Sequence, residues 1–315
     1  MKKYLIINAD DFGLSNSINE AIINLLNENR ISSATLMPNV ASYDQAASWS
    51  KNNSNSIGLH LTLVNGGSNK KFNSLTRKAS LEDDSGYLFE DKFYFMKNFK
   101  YKELKKEIDM QFKKIVNDGI KISHVDTHRY AIYPTHNPLA YIYLCKKCKE
   151  YKVATRWCRR GPYFVGEKIS NLCDSYPASQ FFASIADIYN VPIPDYVFKF
   201  PYKDLLIDYE EKKKGFIEML SKLPNGISEV HIHPSVDDRD IREITETYEE
   251  RIHEYNLLLD KDVIDAIGKF GINIIKYSDI SSIIKPQNKL KSFFNIIRYG
   301  SNYAFKILYK KIRIS

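Results

Sequence analysis

Between Tyr4 and Tyr277 the chain alternates short apolar runs with helical patterns, a rhythm that restricts the fold more than any other property. Strand-like runs occur at Tyr4–Ala9, Ser33–Met37, Ile57–Leu63, Ile120–His124, Val153–Trp157, Ser228–His233 and Ile272–Tyr277. Apolar residues at helical spacing fill Ser17–Asn29, Asp44–Lys51, Tyr101–Asn117, Ala140–Tyr151, Tyr209–Leu223 and Asp260–Lys269. Strands alternating with helices predict an α/β protein with a parallel sheet, open or closed into a barrel. The 315 residues suffice for one large domain or two smaller ones. No internal repeat interrupts the pattern. Two stretches do: Asn65–Lys100 is long and polar, and Arg159–Tyr202 mixes prolines with aromatics. Long insertions on such scaffolds are usually loops over the active face or surface segments. Their aromatics (Tyr87, Phe89, Phe93, Tyr94, Tyr163, Phe164, Tyr176, Phe181, Phe182) suit either stacking on sugar rings or small-core packing.

Charge divides the chain unevenly. Of 46 lysines and arginines, eight fall in residues 285–315, which hold no acidic residue, leaving 46 − 8 = 38 basic against 38 acidic groups elsewhere. The body is neutral, so no basic face for nucleic acid is expected. We expect a catalytic unit over residues 1–284 and a basic amphipathic extension over 285–315. In the extension Leu290, Phe293, Phe294, Ile297, Tyr303, Phe305, Ile307 and Leu308 interleave with lysines and arginines. Such a segment suits one or two helices that dock on an anionic membrane face, bind an acidic partner, or pack on the body with their lysines in water. The apolar run after Lys2 and Lys3 is too short for a signal-peptide core, and no stretch approaches a membrane span. A cytoplasmic protein, peripheral to the inner membrane face at most, is the expectation. Four cysteines, with Cys145 and Cys148 in a helical pattern, read as reduced packing residues rather than a zinc or redox site.

The strand ends carry the chemistry. The first run closes on Asp10-Asp11-Phe12-Gly13, and in α/β proteins the C-terminal ends of strands are where reactions occur. Successive strand residues point to opposite faces, so one carboxylate is free to hold a metal while the other serves as base or anchor. Five of the seven histidines, His60, His124, His128, His231 and His233, fall in three later strand-end motifs. Imidazoles and a carboxylate converging with open positions make a catalytic divalent-metal site.

Four segments, Asn8-Ala9-Asp10-Asp11-Phe12-Gly13, Gly58-Leu59-His60-Leu61-Thr62-Leu63, His124-Val125-Asp126-Thr127-His128 and Glu229-Val230-His231-Ile232-His233-Pro234, resemble in order the blocks of the YdjC-like (ChbG) carbohydrate deacetylases. The likeness spans about residues 1–280. It implies a distorted, TIM-like (β/α) barrel and one divalent ion, Mg2+ or Zn2+. The implied ligands are Asp11, His60 and His124, with Asp10 as the base and His233 as the acid that protonates the leaving amine. Asp126 and His128, with Arg156 and Glu229, are expected to support the ligands or touch substrate. The implied reaction is hydrolysis of the acetyl group from an N-acetylated amino sugar, with no nucleic-acid partner and with room for a homo-oligomer. Hydrolysis of a glycosidic or phosphate-ester bond by the same cluster, and a non-catalytic glycan-binding barrel, are the competing expectations. Tyr130 and Ser235 stand where the family commonly carries His and Gly, which bears on substrate preference.

Overall fold

The computed structural model describes residues 2–53, 56–66, 68–132, 137–160, 162–164, 176–199, 208–284 and 288–312, the side chains of 162–164, 176–178, 199 and 301–312 excepted. The strands are β1 (Lys3–Phe12), β2 (Ser33–Leu36), β3 (Ile57–Leu61), β4 (His124–Thr127), β5 (Ala154–Thr155), β6 (Pro162–Phe164), β7 (Tyr196–Lys199), β8 (Gly226–Ile232) and β9 (Ile272–Ile274). Helices α1 (Asn16–Asn27), α2 (Tyr43–Asn52), α3 (Lys92–Asn98), α4 (Tyr101–Asn117), α5 (Pro138–Tyr151) and α6 (Tyr176–Ile188) accompany the first half. The second half adds α7 (Tyr209–Ser221), α8 (Arg239–Ile244), α9 (Tyr248–Leu259), α10 (Lys261–Lys269), α11 (Ile280–Ile283) and α12 (Lys289–Ile312).

The parallel strands run in the order β5-β4-β3-β2-β1-β8-β7-β6, curled into a distorted TIM-like barrel with helices outside. Beyond β5, backbone bonds from Thr155 to Pro192, Arg159 to Pro194 and Arg160 to Asp195 stitch the curled edge to the segment before β7. β1 is the centre. It pairs with β8 along Lys3–Ala9, with β9 at its start, and with β2 toward its end.

The near-continuous apolar run of β1 follows from burial on both faces. Leu5, Ile7 and Ala9 join the large core between sheet and helices, whereas Ile6 joins Ala154, Ile227, Tyr277 and Ile280 in a second apolar cluster. Alternation then puts Asn8 and Asp10 on the same face as Ile6, and Glu229 and His231 on the same face as Ile227. The barrel interior is therefore apolar at the strands' N-terminal ends and polar toward their C-terminal ends.

The helix expected at Tyr101–Asn117 has those bounds, and its buried residues Leu104, Ile108, Phe112 and Ile115 recur at helical spacing. Cys145 and Cys148 are buried free thiols on α5, and burial pushes the Cys145 pKa up to about 12, as inert packing residues require. Among the insertion aromatics, Phe182 is fully buried while Phe93 and Tyr94 are half exposed. The side chains of Tyr163, Phe164 and Tyr176, and residue Cys173, lie outside the described parts. No described helix is long and apolar enough to cross a membrane.

Candidate functional site

The site forms where β1 breaks its own alternation. Pairing between β1 and β2 shifts register between Ala9 and Phe12, and Asp11 adopts φ 65° in the left-handed region. Such a bulge re-aims side chains, and Asp is one of the residues that tolerates this conformation. Strict alternation would have sent Asp10 and Asp11 to opposite faces. Instead both carboxylates reach the cluster around His60.

Asp11 Oδ2 accepts from Arg251 Nη2 at 2.7 Å. Its Oδ1 has no hydrogen-bond partner and lies 3.4 Å from His60 Nε2 and 3.2 Å from His128 Nδ1. Those two ring nitrogens are themselves 3.3 Å apart. The far nitrogens fix both rings. His60 Nδ1 faces Asp126 Oδ1 at 2.7 Å, and His128 Nε2 faces the Gly66 carbonyl at 2.8 Å. A carbonyl only accepts, so His128 donates from Nε2 and presents Nδ1 inward. Gly66 makes this possible: its φ is 106°, and a Cβ there would stand 1.8 Å from Arg129 Nη1.

Asp11, His60 and His128 thus offer converging donor atoms within 4.8 Å of one another, all buried. The donor set suits a divalent cation, two imidazoles and one carboxylate, each held from behind by another group. Charge argues the same way, because Asp10, Asp11, Asp126 and Glu229 outnumber the guanidiniums of Arg156 and Arg251 that meet them. Burial disfavours charge on the His60 imidazole, but Asp126 and Asp11 carry its pKa up to about 10, another sign that this pocket calls for positive charge.

The expected ligand His124 is elsewhere. Its Nε2 is 2.9 Å from Asn8 Oδ1, its Nδ1 is 2.9 Å from Ser123 Oγ, and its ring stacks on Tyr277 at 3.8 Å between centroids. The physical reason is depth. Sequence pattern put His124 at the end of a strand Ile120–His124, whereas β4 begins at His124, so this residue sits at the strand's N-terminal end. His128, expected only in support, follows the strand's last residue and opens a short 3-10 turn at its C-terminal end. His124 acts on the site indirectly: Asn8, which accepts from it, also donates to Asp10 Oδ1 at 2.9 Å.

Arg156 organises the remaining charges. It donates to both oxygens of Asp10 at 2.7 and 2.6 Å, to Glu229 Oε1 at 2.7 Å, and pairs with Asp126 Oδ2 at 2.8 Å. Burial works against the charge on Asp10, but Arg156 holds its carboxyl far below the usual carboxylate range. Burial likewise opposes charge on Asp11, and Arg251 and the two histidines overcome it. Glu229 shares Arg156 with two other carboxylates, so burial prevails and pushes it up to about 7. Tyr277 donates to its other oxygen.

His233 stands beside this layer, with Nε2 3.9 Å from Asp10 Oδ2 and Nδ1 3.9 Å from Glu254 Oε2. Burial lowers its pKa and favours the neutral ring. Tyr130, in the left-handed region at φ 54°, places its hydroxyl 2.9 Å from His231 Nε2. Asp10, Asp11, His60, Asp126, His128, Arg156, Glu229 and His233 are therefore brought together, and His124 lies behind them.

Sequence reasoning did not single out Asn8, Thr35, Arg251 or Tyr277. Thr35 left a signal, as a polar residue between Ala34 and Leu36 of β2, where its hydroxyl donates to Asp126 Oδ2 at 2.9 Å. Arg251 left none. It follows Glu249 and Glu250 in what reads as a solvated charged helix, yet it is buried.

The sequence profile of YdjC-like proteins matches residues 4–269. The carbohydrate deacetylase 1 of Listeria innocua is 28% identical over 281 residues, covering 88% of this chain and 99% of its own length. A carbohydrate deacetylase of Thermoanaerobacter pseudethanolicus is 26% identical over 279 residues, covering 88% and 98%. The crystal structure of an Enterococcus faecalis protein to which cellobiose-phosphate cleavage has been ascribed superposes with a TM-score of 0.71 at 22% identity, over 89% of this chain and 99% of that one, a likeness of fold. With the matched profile spanning Asp10, Asp11, His60, His128, Arg156, Glu229, His233 and Arg251, the chain belongs to the family of YdjC-like proteins.

Proposed function

We propose that this protein is a divalent-metal-dependent hydrolase that removes the acetyl group from an N-acetylated amino sugar in an oligosaccharide or glycan precursor. The observation that carries the reading is the convergence of Asp11 Oδ1, His60 Nε2 and His128 Nδ1. These residues would hold the ion, which when bound polarises an acyl oxygen and makes water more acidic. Support for the substrate class comes from relatives named carbohydrate deacetylase.

The chain's own groups divide the proton work. Asp10, kept ionised by Arg156, accepts a proton from the attacking water. His233, neutral at rest and 3.9 Å from Asp10, would take up the proton that Asp10 draws from water and deliver it to the amine nitrogen, which leaves poorly as an anion. Arg156 and Asn8 hold the Asp10 carboxylate in place.

The test is metal analysis of the purified protein joined to acetate release from N-acetylglucosamine oligomers. Chelation should abolish release. His128→Ala should lose the metal and His124→Ala should keep it, while Asp10→Asn should keep the metal and lower turnover about 10²–10⁴-fold. Full activity in metal-free protein would sink the mechanism, and release of phosphate or reducing sugar without acetate would sink the reaction class. Metal lost from His124→Ala and kept by His128→Ala would overturn the ligand set.

A further inference from the structure

We propose that the first half of α12 is a docking face for an anionic lipid bilayer. The helix lies along α6 and is amphipathic with an unexpected polarity. Its inward positions are Ser292, Ile296 and Gly300. Ser292 is fully buried with its hydroxyl 3.4 Å from Asp187 Oδ2, Ile296 packs on the core, and a Cβ at Gly300 would stand 3.1 Å from the Phe181 ring. Small residues at this spacing let the two helices approach closely.

The large apolar residues are on the other side. Leu290, Phe293, Phe294 and Ile297 follow the i, i+3, i+4, i+7 spacing of one helix stripe, and each is more than half exposed, at 63, 54, 60 and 57%. In the described first half of the helix, these four apolar residues meet solvent and do not pack on the barrel. Single exposed apolar residues are ordinary, but four on one stripe form a patch that marks an interaction surface.

Charge identifies the occupant. At 100° per residue, Lys291 and Arg298 border the stripe on the side away from α6, and both are exposed, while Lys289, also exposed, opens the helix. Residues 280–315 contain no Asp or Glu, while the rest of the chain is balanced. A stripe of Leu, Phe and Ile bordered by cations matches a bilayer surface that offers acyl chains beneath anionic headgroups. An acidic protein groove would supply the charge without requiring cations to border the stripe. The family profile ends at residue 269, so this device is separate from the shared barrel.

Flotation of the full chain with vesicles tests the proposal, comparing pure phosphatidylcholine with a mixture containing 30 mol% phosphatidylglycerol. Binding should be at least about tenfold stronger to the anionic vesicles and should fall with salt. Phe293→Ser/Phe294→Ser should reduce it about tenfold or more, and Lys291→Glu/Arg298→Glu should do the same while leaving acetate release and thermal unfolding unchanged. Salt sensitivity of the parent protein supplies an answer even if a variant folds poorly. Equal binding to both vesicle types, or none to either, would overturn the proposal. So would a dimer in solution that Phe293→Ser/Phe294→Ser dissolves, since the face would then belong to a second copy of the chain.

Discussion

Glu229 has more demands on it than one guanidinium can meet, because Arg156 gives two of its bonds to Asp10 and another contact to Asp126. Its folded-state pKa of about 7 stands above the ordinary 4.5. Between those values the folded chain binds more protons at this residue than the unfolded chain, so its contribution makes stability fall as pH rises through the window. The difference, roughly 7 − 4.5 = 2.5 units, corresponds to a loss on the order of 3 kcal/mol, complete above pH 7. His233 slopes oppositely: its pKa is lowered, so its contribution grows as pH rises through 6.5. Glu229→Gln keeps groups able to bond Tyr277 and Arg156 but removes the titration. In urea titrations with chelator present, the variant should gain on the parent by about 2–3 kcal/mol between pH 4.5 and 7.5. Parallel pH curves would show that Glu229 titrates normally. That these residues would cluster was legible from strand-end carboxylates and histidines. Which histidine faces the others was not, because periodicity locates a strand better than it locates the strand's ends. Placing the fourth strand at Ile120–His124 instead of His124–Thr127 hid that His128, and not His124, stands beside Asp11 and His60.

At the scale of elements, β3 and β4 meet at a pair that leaves no space. Gly58 is directly opposite His124, given the register Leu59 to Val125 and His60 to Asp126. A Cβ on Gly58 would stand 2.6 Å from His124 Cε1 and 2.7 Å from the His124 carbonyl oxygen. The ring is held by Tyr277, Asn8 and Ser123, and the carbonyl is part of the sheet, so neither yields easily. Gly58→Ala should therefore destabilise the barrel by about 1–3 kcal/mol, read as a lower urea midpoint at unchanged slope. An unchanged midpoint would mean that the two strands part without cost. The glycine was visible in the motif around His60, but its purpose depends on a partner 66 residues away that pattern alone does not supply. The long amphipathic helices were legible because one face packs on the sheet and the other meets water. β6 and β7 were not, since each is short and follows an irregular stretch. The bulge at Asp10-Asp11 was hidden for another reason: alternation is an average property of strands, and the left-handed turn at Asp11 is a local exception to it.

Across the whole molecule, the ligand trio joins parts of the chain that the barrel alone holds only through neighbours. Asp11 lies next to the end of the central strand, His60 next to the end of β3, and His128 begins the turn beyond β4, so one ion would tie three segments of the curled sheet across the intervening β2. An ion that binds the folded chain and not the unfolded one stabilises by mass action, about 2.7 kcal/mol at a hundred times its dissociation constant. For a chain of this length 1 kcal/mol moves the midpoint by about 2 °C, which gives a rise of about 5 °C over chelated protein. The rise should keep growing with ion concentration beyond saturation of the site, which distinguishes linkage from repair of damaged protein. His128→Ala should melt at nearly the same temperature with and without the ion. His124→Ala should melt lower than the parent, having lost its stack on Tyr277 and its bond to Asn8, yet still rise with added ion. Calorimetric scans over a series of Zn2+ and Mg2+ concentrations read all three proteins. A rise that survives in His128→Ala and vanishes in His124→Ala would move the cation away from Asp11, His60 and His128, and absence of any rise with either ion would deny that this trio tightens the barrel.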